Sequence, residues 1–395
     1  MTEMLPITLA LLLPCQSWHE PAAGVPERAA WVEAEGLTEG PWLGWSPSGP
    51  RRGEAPTRGP WLAIEFDVPA IETPAGTWLL ELSDGSVLHG KPGPDVPDLG
   101  TPSWFLGGVG APALPMDPVY LARQGRGRLP TRLAGGEDMV WLRRSEGVLD
   151  LQRGYLLDWN AKGLNFQALA GVRDYPWTEV EAFCLLEETP PPQADAVWLT
   201  LADGSMLTAR ILEQDARGSS STDFLLELPW GGRVRIPARG VSRILRRAGV
   251  EEWAGLTWET RAAPPALVVD WSPKRNRAVD GGFLRLGARN YPSGLGMRAA
   301  TEVARTAPGP GTLLITVGVD AAVADFRQPQ PVVFRVLLDE QELLATPPLN
   351  VQDGARPLLV RVPRAGLLRL RAEAAGEAAP GAHANWCDLL WLPGE

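Results

Sequence analysis

The chain has 395 residues, 45% of them apolar and 21% charged, with 43 Gly and 39 Pro; this exceeds one hydrophobic core and suits a turn-rich, all-β protein of two to four domains. A formal charge of −10 offers no electrostatic footprint for a phosphate backbone, which excludes nucleic acid as an expected partner. Three cysteines (Cys15, Cys184, Cys387) are too few and too scattered for a disulfide framework, and a Cys184–Cys387 bridge would have to join separate domains.

In chain order, residues 5–13 (LPITLALLL) are too short to span a bilayer but have the length of a signal-peptide apolar region. Residues 1–17 are therefore read as an export signal, although residues 1–4 carry no basic side chain and no A-x-A site follows. Cys15 raises lipid attachment as an idea, which Pro14 before it disfavours. No other stretch is expected to cross a membrane. Residues 18–75 read as an irregular, partly β segment in which residues 61–68 (WLAIEFDV) alternate as a half-buried strand does.

The middle of the chain carries an internal repeat. Asp138, Val140, Trp141, Leu142, Gly147 and Asp158 recur 57 positions later as Asp195, Val197, Trp198, Leu199, Gly204 and Asp215. Beyond an insertion near residues 219–223 the offset becomes 61, pairing Gly171 with Gly232 and Phe183 with Ile244. A third, degraded copy begins at Trp78, where LLELSDGS from Leu79 mirrors WLTLADGS from Trp198. The expected units are residues 76–134, 135–189 and 193–247, each a strand, a tight Gly-bearing hairpin turn, a second strand, two more strands and a short closing segment. Such units are small curved sheets or barrel-like, and bury too little surface alone, so they are expected to pack together. They resemble short DG-S-x-L-x-G repeats of secreted bacterial proteins. Pro190, Pro191 and Pro192 mark a stiff joint between the last two, and residues 248–265 read as a linker.

From residue 266 to 393, period-two segments (residues 267–271, 313–319, 332–338, 357–362, 367–372 and 388–391) without a helix argue for a two-sheet, jelly-roll-like sandwich. Four motifs stand in order here: GLGMRA from Gly294, VGVD from Val317, VFRV from Val333 followed by Leu338-Asp339, and HANWCD from His383. This series resembles the NPCBM family of carbohydrate-binding-module type, over about a third of the chain. The resemblance implies a galactose-binding-like β-sandwich of the kind appended to secreted glycoside hydrolases. It also shows departures, since Ser293 precedes the glycines, Arg298 stands where the family has His, and Asn385 where it has Asp.

A saccharide site needs an aromatic face for C–H surfaces and a few oriented polar groups for hydroxyls. Trp386, Asn385, His383, Arg298, Asp320 and Tyr291 supply such a set if the motif loops meet at one end of the sandwich. Each also has a structural reading: Trp386 as a core anchor, Asp320 as a turn cap, His383 as a hydrogen-bonded structural residue, and Gly294 and Gly296 as places of close packing. The 17 Trp against 8 Phe and 4 Tyr divide between the same two readings, core filling and sugar stacking.

No nucleophile elbow, zinc-protease element, phosphate loop or dinucleotide fingerprint appears, and three histidines (His19, His89, His383) give a His-dependent triad little material. Carboxylates such as Glu179, Glu181, Glu187, Glu188, Asp203 and Asp215 keep a paired-carboxylate glycosidase formally open, with no pair marked as converging. No cofactor and no metal site is expected. The expected protein is exported and non-catalytic, with a glycan as partner and protein partners at a cell surface as a second class. The alternatives are an accessory or divergent glycoside hydrolase relative, and an assembly module with no glycan ligand.

Overall fold

The computed structural model describes residues 28–33, 36–46, 49–52, 61–71, 77–95, 102–106, 118–123, 137–144, 148–160, 162–185, 195–215, 223–229, 233–262, 271–325, 329–376 and 381–394. The expected export signal, Cys15, His19 and the proline triplet lie outside them. Among the described residues the protein is all-β, with three short 3-10 turns as its only helical elements, and no helix is long and apolar enough to cross a membrane.

The N-terminal segment contributes β1 (Arg28–Glu33), β2 (Gly36–Pro41), β3 (Gly44–Ser46), β4 (Gly49–Pro50) and β5 (Trp61–Glu65). Repeat A follows with β6 (Trp78–Leu82), β7 (Val87–Asp95), β8 (Pro102–Leu106) and β9 (Pro118–Arg123). Repeat B comprises β10 (Asp138–Arg143), β11 (Leu149–Asn160), β12 (Gly163–Ala168), β13 (Gly171–Pro176) and β14 (Val180–Cys184). Repeat C comprises β15 (Val197–Leu201), β16 (Met206–Asp215), β17 (Asp223–Glu227), β18 (Arg233–Pro237) and β19 (Val241–Arg246). In each repeat the first strand pairs antiparallel with both the second and the last (β6 with β7 and β9, β10 with β11 and β14, β15 with β16 and β19), so the unit curls on itself.

The repeats are joined strand to strand. Strand β14 pairs with β9, β19 with β5, and the start of β16 touches the start of β7 at Met206 and Val87. That last contact is reciprocal. Ser86 Oγ accepts the Thr208 N–H and Ser205 Oγ accepts the His89 N–H, each at 2.9 Å. Adding 119 to Ser86, Val87 and His89 gives Ser205, Met206 and Thr208, so equivalent residues of A and C meet about a local twofold axis. The Asp-Gly-Ser turns supply this geometry: Gly85 and Gly204 take φ of 86° and 84°, which a side chain rarely adopts. Asp84 and Asp203 accept the N–H of Ser86 and Ser205 at 2.7 and 2.9 Å.

The C-terminal unit has a back sheet in the order β22 (Lys274–Arg275), β25 (Gly294–Arg298), β32 (His383–Pro393), β27 (Gly311–Val319), β30 (Arg356–Val362), with β20 (Glu251–Glu252) added on β32. Its front sheet runs β21 (Glu259–Ala262), β26 (Thr301–Ala307), β31 (Gly366–Ala374), β28 (Val332–Leu338), β29 (Gln341–Ala345). A hairpin of β23 (Leu284–Leu286) and β24 (Arg289–Tyr291) covers part of the back sheet's outer face. Residues 251–262, expected as linker, thus pair into both sheets, and Trp253 is fully buried and stacked on Trp391 with ring centroids 4.6 Å apart. A two-residue strand has too little alternation to read, which is why the sequence hides it.

The rest of that outer face carries the repeats. Leu314 and Leu390 of the sandwich pack with Leu62, Ala63, Trp198, Met206 and Leu245, while Phe283 leans on a second cluster built by Leu79, Tyr120 and Trp141. At the seam Arg243, from repeat C, donates to Asp388 Oδ2 at 2.5 Å and lies 3.1 Å from Glu65. Burial works against the guanidinium charge, and Asp388 and Glu65 outweigh it, holding Arg243 above its ordinary value. Repeats and sandwich form one continuous structure.

Candidate functional site

The outer face of the back sheet is built on glycines. Across three strands Gly296, Asn385 and Gly318 form one row. A Cβ on Gly296 would lie 2.3 Å from the Arg277 carbonyl oxygen, and one on Gly318 2.5 Å from that of Gly354. Only glycine lets those covering segments lie directly on the sheet, and they bury Asn385 completely. The glycines of the GLG and VGVD motifs therefore serve close packing.

One row further out, Arg298 stands opposite His383, and Asp320 donates its N–H to the His383 carbonyl at 3.1 Å. Asp320 Oδ2 accepts a 2.5 Å hydrogen bond from Asn385 Nδ2, and its Oδ1 takes the Ala322 N–H at 2.7 Å. Trp271 caps this row. The Arg298 guanidinium lies 5.2 Å from the indole centroid, within cation–π range, and the His383 ring lies 5.5 Å from it. Trp271 and Arg298 keep part of their surface in solvent, whereas His383, Asp320 and Asn385 are buried. Arg298 makes no ion pair with any described residue.

Four of the six expected binding residues, Arg298, His383, Asp320 and Asn385, thus gather at one end of the sandwich, and two do not. Trp386 is fully buried in the inter-sheet core, edge-on to Phe334 with centroids 5.1 Å apart. Its ring presents no face to a ligand. The reason is strand phase: Ala384, Trp386, Leu389 and Trp391 all point inward because Asp388, at φ 50°, bulges the strand and resets its alternation. Tyr291 packs under the hairpin with Leu284, Leu286 and Cys387, and burial raises its phenol well above the ordinary value. Trp271 is the residue that sequence reading missed. It stood at the end of an apolar run read as a strand, and the signal against that was the Ser272-Pro273 that follows, a turn-forming pair.

Among the described residues no group of three or more His, Cys, Asp or Glu side chains converges as a metal centre. Cys184 and Cys387 are buried and form no disulfide with each other. Of the carboxylates weighed for glycosidase chemistry, Glu187 and Glu188 lie outside the described residues, Glu181 pairs with Arg143 at 2.5 Å, and Asp203 is engaged by its own turn. His89, on β7, is buried against Phe283 and pushed down to about 4 by that burial.

Burial raises the Asp320 carboxyl to about 6, against the lowering effect of its two N–H donors. Between the unfolded value of 3.8 and about 6 the folded state binds more protons than the unfolded chain, so this group makes stability fall as pH rises through that window. Asp320→Asn is expected to flatten this slope, measured by urea denaturation at pH 4, 5, 6 and 7. The substitution is tolerable because Asn385 Oδ1 has no hydrogen-bond partner among the described residues, so its amide can flip to accept the new N–H. An unchanged slope would show that Asp320 ionises freely.

Residues 254–390 match the family model of the NPCBM/NEW2 domain. No curated protein matches the chain. Among solved structures, CBM51 from Clostridium perfringens GH95, in complex with methyl-galactose, is 18% identical and aligns over 36% of this chain and 99% of its own, with a TM-score of 0.32. CBM51-2 with GlcNAc and the INT domains of Clostridium perfringens ZmpB is 19% identical over 48% of this chain and 42% of its own, at 0.33. The tandem CBM51 modules of a Streptococcus pneumoniae family 98 glycoside hydrolase are 10% identical over 65% and 88%, also at 0.33. The four ordered motifs, the two-sheet sandwich and the family match agree: the chain carries an NPCBM/NEW2 domain at residues 254–390.

Proposed function

We propose that this is an exported, non-catalytic carbohydrate-binding protein whose NPCBM/NEW2 sandwich takes a saccharide at the Trp271 corner. The observation that carries the reading is the part-exposed Trp271 ring with Arg298 against it. An indole surface suits the C–H face of a sugar, and a guanidinium without an ion pair among the described residues offers several fixed donors to its hydroxyls or to a carboxylate. Trp271 and Arg298 make the contacts. His383, Asp320 and Asn385 hold the strand ends beneath them as positioning residues. Export rests on the apolar run at residues 5–13. The repeats clasp the opposite end of the same sheet face and orient the sandwich.

A broad glycan array probed with the full chain tests this. Selective retention of one group of related glycans is expected, and a flat array would overturn the reading. The full chain is the right reagent, since a fragment starting at residue 266 would lack β20, β21 and Trp253 and would bare Leu314 and Leu390.

A further inference from the structure

Of the eight large apolar side chains that stand exposed among the described residues, six belong to repeat B: Val148, Leu149, Tyr155, Leu157, Leu169 and Val172. Four of these lie on β11 or immediately before it. Concentration in one repeat of three is unlike the scatter of single apolar residues on an ordinary surface.

The sibling repeats use the equivalent positions for an internal contact. In A and C the second strand begins with a residue, Val87 or Met206, that meets its equivalent across the local twofold axis, and the preceding Ser86 and Ser205 are fully buried there. Strand β16 makes a second external pairing at its far end, Gln214 opposite Trp45 of β3. In repeat B the equivalent positions are Val148 and Leu149, since Arg144 N–H to Val148 O closes the same turn that Leu201 N–H to Ser205 O closes in C. They are 61% and 40% exposed, and among the described residues β11 pairs only with β10 and β12. Among the described residues neither external contact of this strand is made in B, and Val148 stands where A and C bury serine hydroxyls. A long strand with an open edge and exposed apolar side chains is a template for another strand.

We propose that β11 pairs with β11 of a second copy of this chain about a twofold axis close to Leu149, repeating between molecules the A–C contact made within one. The occupant is a second copy because the contact seen between A and C is self-complementary, repeat against repeat, and a self-complementary patch on one chain generates a closed dimer. Arg144 and Asp150, paired at 2.6 Å on the exposed flank of the turn, form the polar rim.

Sedimentation velocity of the full chain is expected to give a species of twice the 42.7 kDa chain mass, and Leu149→Glu and Tyr155→Glu, both at exposed positions, are each expected to return it to the monomer. In a Cys15→Ser background Leu149→Cys is expected to form a disulfide-linked dimer under mild copper–phenanthroline oxidation, faster than Leu169→Cys on the neighbouring hairpin turn, because an on-axis residue faces its own copy. Cys184 and Cys387 are buried and stay silent. A monomer at all concentrations overturns the proposal, as does a dimer that both glutamate variants leave intact with equal crosslinking at 149 and 169.

Discussion

Arg243→Ala lowers the stability of the full chain by about 3–5 kcal/mol at pH 7, the cost of leaving a buried carboxylate without its partner. The guanidinium bridges Asp388 of the sandwich and Glu65 of the N-terminal segment, and both Arg243 and Asp388 are nearly inaccessible to solvent. Without Arg243 the Asp388 carboxyl is protonated more readily in the folded than in the unfolded chain. Of pH 4 and pH 7, the loss is smaller at pH 4, close to the unfolded carboxylate value of 3.8, and grows toward pH 7 as holding a proton in the folded state alone becomes costlier. Denaturant unfolding at the two pH values measures it. The double variant Arg243→Met with Asp388→Asn is expected to recover most of the deficit, since removing both charges removes the unpaired one. A loss under about 1 kcal/mol, equal at both pH values, would mean that the pair behaves as a solvated surface contact.

Trp386→Ala costs about 3–5 kcal/mol as well, through lost transfer energy and the cavity left between the two sheets. Its indole N–H has no hydrogen-bond partner among the described residues, so the residue contributes through packing against Phe334 and its neighbours. The expected signature is a lower Tm for the whole chain and any glycan binding weakened only in proportion to the unfolded fraction. Trp271→Ala is expected to do the reverse, leaving Tm within a degree or two. These two tryptophans separate the core role from the binding role that the sequence left open.

Much of this was legible from residues alone. The Asp-Gly-Ser turns announced the repeats because φ near +85° at Gly85 and Gly204 demands glycine. The ordered motifs located the sandwich because Gly294, Gly296 and Gly318 are fixed by backbone contacts that allow no Cβ. Strand β28 falls at residues 332–338, where period-two alternation placed it. What the sequence hid is non-local. That Trp386 and Trp391, five residues apart, both face in depends on the bulge at Asp388, one residue in the left-handed region that shifts every later side chain of β32. Arg243 sits 145 residues from its partner, and nothing in the repeat pattern marks it. The docking of repeats on the sandwich follows from an outer sheet face that is apolar at Leu314 and Leu390, which strand alternation assigns to solvent as readily as to an interface.

Arg298, His383, Asp320 and Asn385, proposed together from the sequence, are neighbours at one end of the sandwich. Three of the four are buried, and the part-exposed aromatic beside them, Trp271, stands outside the recognised motifs.

The direct test of the account is isothermal titration of an array-selected glycan into the full chain and into Trp271→Ala, with Tm recorded for both. A loss of at least about tenfold in affinity, or ~1.4 kcal/mol, with Tm unchanged is the predicted result. Unchanged affinity in a folded Trp271→Ala variant would contradict it and place the saccharide elsewhere on the molecule.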